Sequence, residues 1–276
     1  MTISAKEVKQ LRDITGVGMM DCKRALVETE GDFEAAIDLL RKTGQKVAAK
    51  RADREAKEGM IATASSEDGR TAILVEVNCE TDFVARNDEF QQFVSAMAIR
   101  VLRDQPTDRD AFLASEYEGG RSVQDGLTEL TGKIGEKIEV RRLAILRSDA
   151  GNVVSYIHPG SRLGVLVDIS GSGDLLTSGR DVAMQVAALN PIATRREDVP
   201  EIITSKEMEI AREAALNEGK PEHILDRIAT GKLERYYRDN VLLEQPFVKD
   251  SSQTVTQMLK DAGAEVDSFV RFALGE

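Results

Sequence analysis

Few residues in this 276-residue chain are suited to covalent or metal chemistry. The chain has two histidines, His158 and His223, and two cysteines, Cys22 and Cys79. None of the four lies at the close spacing that a zinc site requires. A Ser-His-Asp or Cys-His arrangement would depend on a histidine in turn or helix-start sequence, and no phosphate-binding P-loop pattern is present. The sequence therefore predicts a protein that is not an enzyme and holds no cofactor or metal.

The most unusual stretch is Thr81-Asp82-Phe83-Val84. It lies between a strand-like run, Ala72 to Val77, and a helical run that begins near Asp88. Such a turn normally carries small polar residues, because its backbone bends at the surface. An aromatic ring beside a carboxylate either folds back into the protein's own core, as phenylalanine usually does, or inserts into another molecule. The residues of the turn leave both interpretations open.

A second unusual feature is the methionine pair Met19-Met20, at a predicted helix start directly after Gly16-Val17-Gly18. Adjacent positions on a helix do not face the same core. At least one methionine should therefore point outward, either as an ordinary exposed residue or as an adaptable contact for a partner.

Composition narrows the class of partner. Lysine and arginine number 37 against 48 aspartate and glutamate, a net charge of −11, which disfavours direct binding to nucleic acid. No apolar run reaches the roughly 18 residues of a membrane span, and the start of the chain lacks a signal-peptide pattern. Two isolated thiols suit a reducing compartment. We expect a cytoplasmic protein that binds neither nucleic acid nor membranes.

The elements that must position these residues begin with three short helices. Ser4 to Glu7 has the form of a capping box, and apolar residues then repeat at helical spacing in three segments that end at Gly16, Gly31 and Gly44. The sequence predicts a three-helix domain over residues 1–44 and a charged helical linker over residues 45–58.

The middle of the chain repeats itself. Gly59 to Ile61 matches Gly151 to Val153, and at the same spacing Ile73 to Val77 matches Val165 to Ile169. The helical stripe that follows repeats as well. We predict an α+β fold with a duplicated core of two three-stranded antiparallel sheets with helices on one face. The first copy spans residues 59–147, and the second spans residues 148–194 and 241–276.

The second copy carries an insertion between Pro191 and Ser251. Its helical segments are predicted over Ser205 to Asn217, Pro221 to Ile228 and Lys232 to Leu242, with a break at Gly219-Lys220-Pro221. Two such helices joined by a tight turn predict a projecting antiparallel hairpin, a coiled-coil-like arm over residues 195–240. An arm of this kind typically binds a partner or a second copy of itself, although packing against its own core is the simpler alternative.

Several of these motifs together resemble the bacterial elongation factor Ts family. They are Thr15 to Lys23 with Gly31 to Ile37, Glu76 to Ala85, His158-Pro159-Gly160, Arg162 to Val167, Gly219 to Pro221 and Leu243 to Lys249. The resemblance covers essentially the whole chain and implies a ubiquitin-associated-like N-terminal domain. It also implies a guanine-nucleotide exchange factor that binds elongation factor Tu during translation.

The resemblance implies a role for particular residues. Thr81, Asp82, Phe83 and Val84 match the turn that enters the partner's GTPase domain and disturbs its magnesium site. Other matched residues contact the partner elsewhere: Arg12, Met19 and Met20 on the same domain, and His158 on the third domain. The arm matches a coiled-coil module that mediates dimerisation. The alternative from another class is an adaptor or holdase-type scaffold that leaves its partner's nucleotide unchanged.

Overall fold

The computed structural model describes residues 3–276. In chain order the helices are α1 (Ala5–Thr15), α2 (Met19–Glu28), α3 (Phe33–Arg51), α4 (Asp82–Ala85), α5 (Asp88–Asp104), α6 (Arg109–Ala114), α7 (Val123–Ile134), α8 (Leu175–Leu189), α9 (Glu201–Asn217), α10 (Glu222–Asn240) and α11 (Val255–Asp261). The strands are β1 (Glu58–Ser65), β2 (Thr71–Cys79), β3 (Glu139–Arg147), β4 (Asn152–Ile157), β5 (Leu163–Gly171), β6 (Pro246–Phe247), β7 (Asp250–Thr254) and β8 (Ala264–Ala273).

The three N-terminal helices begin and end where local chemistry dictates. The capping box at α1 is formed, because the Ser4 amide donates to the Glu7 carboxylate at 2.7 Å and the Glu7 amide donates to the Ser4 hydroxyl. Gly16 ends α1 in the left-handed conformation, with φ of 66°. The helices enclose a small core of Val8, Leu11, Cys22, Ala25, Leu26 and Ala36. The helix starts at Ala5 and Met19 agree with the predicted capping box at Ser4 and the predicted helix start at Met19.

Gly44 does not end the third helix, which continues to Arg51. The predicted helix end was wrong because a glycine inside a helix can also allow the backbone of another helix to approach closely. A Cβ on Gly44 would lie 3.4 Å from the Cα of Gly132 on α7, and α3 packs against α7. Residues 45–51 therefore extend α3 rather than begin a separate helical linker.

Two three-stranded sheets form the core of the fold, with the strand orders β1-β2-β3 and β4-β5-β8. In both, the closing strand lies beside the second strand of a hairpin. The second sheet is antiparallel, with Asn152 opposite Ile169 and Leu163 opposite Ala273. Helix α8 covers β4 and β5 over a core that includes Val165, Val182 and Val255. The predicted α+β class and the small antiparallel sheets are confirmed.

The turn between β4 and β5 has the geometry of a type II turn. The Ser161 amide donates to the carbonyl of His158 at 2.9 Å, and Gly160 has φ of 89°, the conformation that a type II turn needs at its third residue. His158 itself is exposed.

The inserted segment contains two α-helices, not the predicted three. Helix α10 runs unbroken from Glu222 to Asn240, so the predicted interruption between Ile228 and Lys232 is absent. Gly231 is tolerated there because it faces open space. Helices α9 and α10 pack against each other through Ala211, Ala215, Leu225 and Ala229.

The chain divides into two compact units. One comprises the residues up to Ala62, Val75–Leu143 and Leu274–Glu276, and the other comprises Thr63–Leu74 and Ala144–Ala273. This division follows spatial contacts and differs from the predicted domain boundaries, which remain a prediction. Across residues 3–276, no helix combines the length and apolarity needed to cross a membrane.

Candidate functional site

The candidate site lies where the second strand leaves the first sheet. Strand β2 is buried from Ala72 to Cys79, so its end has a fixed position. Two residues later the backbone reaches the surface and forms α4, a single helical turn. Thr81 caps α4, because its hydroxyl accepts a hydrogen bond from the Val84 amide at 3.4 Å. A second cap, from the side chain of Asn87, begins α5.

Phe83 points into solvent. Its exposed fraction is 81 %, and among the eight phenylalanines and four tyrosines, all within residues 3–276, it is the one exposed ring. Beside it, Asp82 forms an ion pair with Arg86 at 2.9 Å, and Val84 is half-buried. The interpretation of Phe83 as a core residue is therefore wrong, and the ring is free to contact another molecule.

In the second copy of the repeat, the corresponding turn has a different structure. Asp174 caps α8 directly and no separate helical turn forms. Leu175, which matches Phe83 in sequence, is half-buried and packs against the second core. The exposed aromatic tip is thus a property of the first copy, not of the shared fold.

Glu80, the residue before the turn, is held in place by hydrogen bonds from three other residues. Its carboxylate accepts hydrogen bonds from Arg51 at 2.7 Å, from Arg54 at 3.0 Å and from the Lys137 amide at 2.7 Å. Burial favours the protonated form of Glu80, but these three donors outweigh it and lower its pKa to about 2. Glu80 is therefore charged at neutral pH, and it links the end of β2 to α3.

Thr81 is held from the other side by Glu136. The Thr81 amide donates to one carboxylate oxygen of Glu136 at 3.0 Å, and its hydroxyl donates to the other at 2.8 Å. The neighbouring Cys79 thiol donates to the Thr81 carbonyl at 3.2 Å. Burial, together with the charge of Glu136, raises the pKa of Cys79 to about 12. Cys79 is thus a neutral donor, not a reactive thiolate.

The methionine pair lies within the same compact unit as the turn. Met19 is 41 % exposed and Met20 63 % exposed, and Arg12 is exposed as well. The side chain of Lys133 lies against Gly16, just before this pair, and forms an ion pair with Glu89 in the first turn of α5. Through Lys133, the loop before Met19 and the start of α5 are close to each other. Both methionines, rather than one, are available to a partner.

His158 belongs to the other compact unit and is described by itself. Its ring is exposed at the β4–β5 turn, and the Tyr156 hydroxyl lies 2.9 Å from Nδ1. The two rings are 6.1 Å apart. This contact orients the imidazole at the tip of the hairpin. His223 is exposed in the first turn of α10.

The structure also identifies site residues that the sequence analysis missed. Glu80, Glu136, Arg51 and Arg54 hold the turn, yet they come from three distant segments. Glu80 was visible as part of the motif, but nothing in the spacing indicated its partners. Within residues 3–276, no group of three or more histidine, cysteine, aspartate or glutamate side chains is arranged to bind a metal ion.

Comparison with known proteins gives one consistent result. The family described as Elongation factor TS matches residues 80–276. The chain is 47 % identical over 286 residues to elongation factor Ts of Chloroherpeton thalassium and 48 % identical over 284 residues to that of Prosthecochloris aestuarii, with 99 % of each chain covered. It is 46 % identical to elongation factor Ts of Alkalilimnicola ehrlichii, covering 100 % of this chain and 93 % of that protein.

Proposed function

Because the chain belongs to the elongation factor Ts family, we propose that it is a translation elongation factor that binds elongation factor Tu and promotes the exchange of GDP for GTP. The observation that carries this function is the exposed Phe83 at the tip of a capped and anchored turn. Exchange makes and breaks no covalent bond of the substrate, so the protein needs no catalytic acid or cofactor of its own. It acts in the cytoplasm, where translation takes place.

Insertion of the turn Thr81 to Val84 into the partner contributes the free energy that drives exchange. Phe83 loses its contact with water when it enters an apolar pocket of the partner's GTPase domain, a gain of about 1.5–3 kcal/mol for a phenylalanine side chain. Asp82 enters beside it and brings a carboxylate close to the partner's nucleotide site. Insertion is incompatible with the geometry that holds the partner's magnesium ion, so magnesium and then GDP are released.

Arg12, Met19 and Met20 contact the same GTPase domain. Their exposure supports this role, and so does the chain of contacts from Gly16 through Lys133 to Glu89. Two exposed methionines adapt to an irregular apolar surface, and Arg12 adds a charged contact. His158 contacts the partner's third domain, with Tyr156 restricting its ring. None of these residues binds nucleic acid.

The α9–α10 hairpin, as a coiled-coil arm, mediates homodimerisation. In support, α9 exposes Ile202, Ile210 and Leu216. Ile210 and Leu233 also line an open groove of about 110 Å³ between α9 and α10. A native mass spectrum of Ile210→Lys should show monomer where the unsubstituted protein shows dimer. A dimer that survives this substitution would place the interface elsewhere.

The rate of GDP release tests the proposed function. Elongation factor Tu loaded with fluorescent GDP is mixed in a stopped-flow instrument with excess GDP, with and without micromolar amounts of this protein. We expect the protein to accelerate the fluorescence decay in a concentration-dependent manner. An unchanged rate would reject the function.

A further inference from the structure

We infer that Glu136, in the loop between α7 and β3, is a positioning residue that holds the Phe83 turn in its binding orientation. This inference rests on the proposed function, since it concerns the tip that the protein presents to elongation factor Tu. Glu136 itself need not touch the partner, because it acts through Thr81.

Helix α4 cannot hold its own conformation. It has four residues, none of them buried, and forming an isolated helical turn is unfavourable in water. The exposed Phe83 contributes no packing that would anchor it. Beyond the half-buried Val84 and the contact of α4 with α5, the orientation of the tip therefore depends on hydrogen bonds to the rest of the unit.

Glu136 supplies the bonds nearest to the tip. Both of its oxygens accept from Thr81, one from the amide and one from the hydroxyl. The same hydroxyl accepts from the Val84 amide inside α4. A continuous path of hydrogen bonds thus leads from Glu136 through Thr81 into the turn. Two parallel bonds to one carboxylate also fix its rotation.

Apart from the Cys79 thiol, which bonds the Thr81 carbonyl, the other anchors restrain the two sides of the turn but not the tip. Glu80 ties the preceding residue to Arg51 and Arg54, and the Gln91 amide group donates to the Ala85 carbonyl at 3.2 Å. Both hydrogen bonds that the Glu136 carboxylate accepts come from Thr81. Removal of the Glu136 carboxylate should therefore make α4 mobile and leave the hydrophobic cores intact.

A graded pair of variants follows from this geometry. In Glu136→Gln the side-chain oxygen can still accept from the Thr81 amide and the NH₂ group can donate to the Thr81 hydroxyl, so both contacts can survive with the direction of the second reversed. In Glu136→Ala both are lost. Glu129→Gln is a matched control, because Glu129 is exposed on α7 and pairs with Arg121 instead.

The first test uses the free protein and needs no partner. Backbone NMR relaxation should give order parameters of about 0.85 for the amides of residues 82–85 in the unsubstituted protein and in Glu129→Gln. In Glu136→Ala they should fall below about 0.6, with α5 unchanged. If residues 82–85 stay rigid in Glu136→Ala, the positioning role is refuted, whatever the exchange assay shows.

The second test asks whether Glu136 acts through Phe83. GDP release from elongation factor Tu is measured at saturating concentrations of four proteins: unsubstituted, Glu136→Ala, Phe83→Ala and the double variant. We expect Glu136→Ala to slow release about tenfold with an unchanged melting temperature, and to have no further effect in the Phe83→Ala background. An equal slowing in both backgrounds would overturn the inference. Failure of the unsubstituted protein to accelerate release would reject the proposed function, and the NMR result would still decide the positioning role.

Discussion

Phe83 leaves four-fifths of its surface in water, while its turn is anchored at Glu80 and Thr81 before it and at Ala85 after it. A large aromatic side chain that is exposed on a rigid support gains free energy when it is buried against a partner. At the scale of single residues, the site thus separates into one residue that makes the contact and several that hold it.

Phe83→Ala should slow GDP release from elongation factor Tu by about 10- to 100-fold, because the lost burial of the ring is worth about 1.5–3 kcal/mol. The melting temperature should stay unchanged, since substitutions of exposed side chains alter the free energy of unfolding by less than about 0.5 kcal/mol. Ile99→Ala, which removes an aliphatic side chain 65 % exposed on α5, is the control. Equal slowing by both variants would show that the effect is not specific to the turn.

Glu80 makes stability depend on pH in a defined direction. Its pKa lies near 2 in the folded protein against an ordinary value of 4.5, so the unfolded state binds the proton more readily. The stabilisation is therefore complete above pH 4.5 and is lost as the pH falls towards 2. Glu80→Gln should lower the free energy of unfolding by about 1–2 kcal/mol at pH 7, after allowance for solvent screening.

This difference should shrink as urea unfolding is repeated from pH 7 down to pH 3. Glu129→Gln, the exposed control, should change the free energy of unfolding little at any pH. A difference between the unsubstituted protein and Glu80→Gln that stays constant over this range would show that the charge of Glu80 is not the source of its contribution.

At the scale of elements, α3 couples the N-terminal helices to the first sheet. It packs on α7 at the Gly44–Gly132 contact, and its last residue, Arg51, bonds Glu80 beside the turn. One long helix thus connects the three-helix domain that carries Met19 and Met20 with Glu80, which anchors the Phe83 turn. Had α3 ended at Gly44, Arg51 would have lacked this fixed position.

Gly132→Ala should destabilise the protein by about 1–3 kcal/mol, because the added Cβ would fall on the backbone of Gly44 and force α3 and α7 apart. Gly231→Ala is the matched control, a glycine inside α10 that faces open space. Without a clash, alanine's higher helix propensity should stabilise by about 0.5–1 kcal/mol. Urea unfolding measures both, and the same sign of change in both variants would contradict the close helix contact.

At the scale of the whole molecule, the proposed function requires surfaces for a partner and no catalytic cleft. An exchange factor works by binding the nucleotide-free partner more tightly than the GDP-bound one, and linkage then requires it to weaken GDP by the same factor. A shift of about 10⁴-fold corresponds to ~5.5 kcal/mol, more than one phenylalanine ring provides. We therefore propose that the exposed residues Arg12, Met19, Met20 and His158 supply part of the remainder.

Added GDP should dissociate the complex of this protein with elongation factor Tu. The reason is the same linkage, because GDP and the exchange factor oppose each other on one partner. Size-exclusion chromatography or a native mass spectrum across a GDP titration measures it. An adaptor that leaves the nucleotide state unchanged would keep the complex intact, so persistence of the complex at saturating GDP would favour that alternative.

The amino-acid sequence by itself determined the features that depend on neighbouring residues. The Ser4–Glu7 capping box, the helix end at Gly16 and the turn at His158 follow from local pattern and appear in the structure. The motif Thr81 to Val84 was also visible, because an aromatic residue in a surface turn departs from ordinary turn chemistry.

Only the tertiary structure decided what required knowledge of distant neighbours. A glycine that ends a helix, one that allows another helix to approach closely and one that faces water look alike in sequence, so Gly44 was wrongly interpreted as a helix end. Whether Phe83 was core or surface depended on where β2 ends relative to the sheet's buried face. The anchors Arg51 and Glu136 lie 29 and 55 residues from the residues they hold, and no local periodicity links them. The pairing of such distant side chains arises from the packing of α3, α7 and β2.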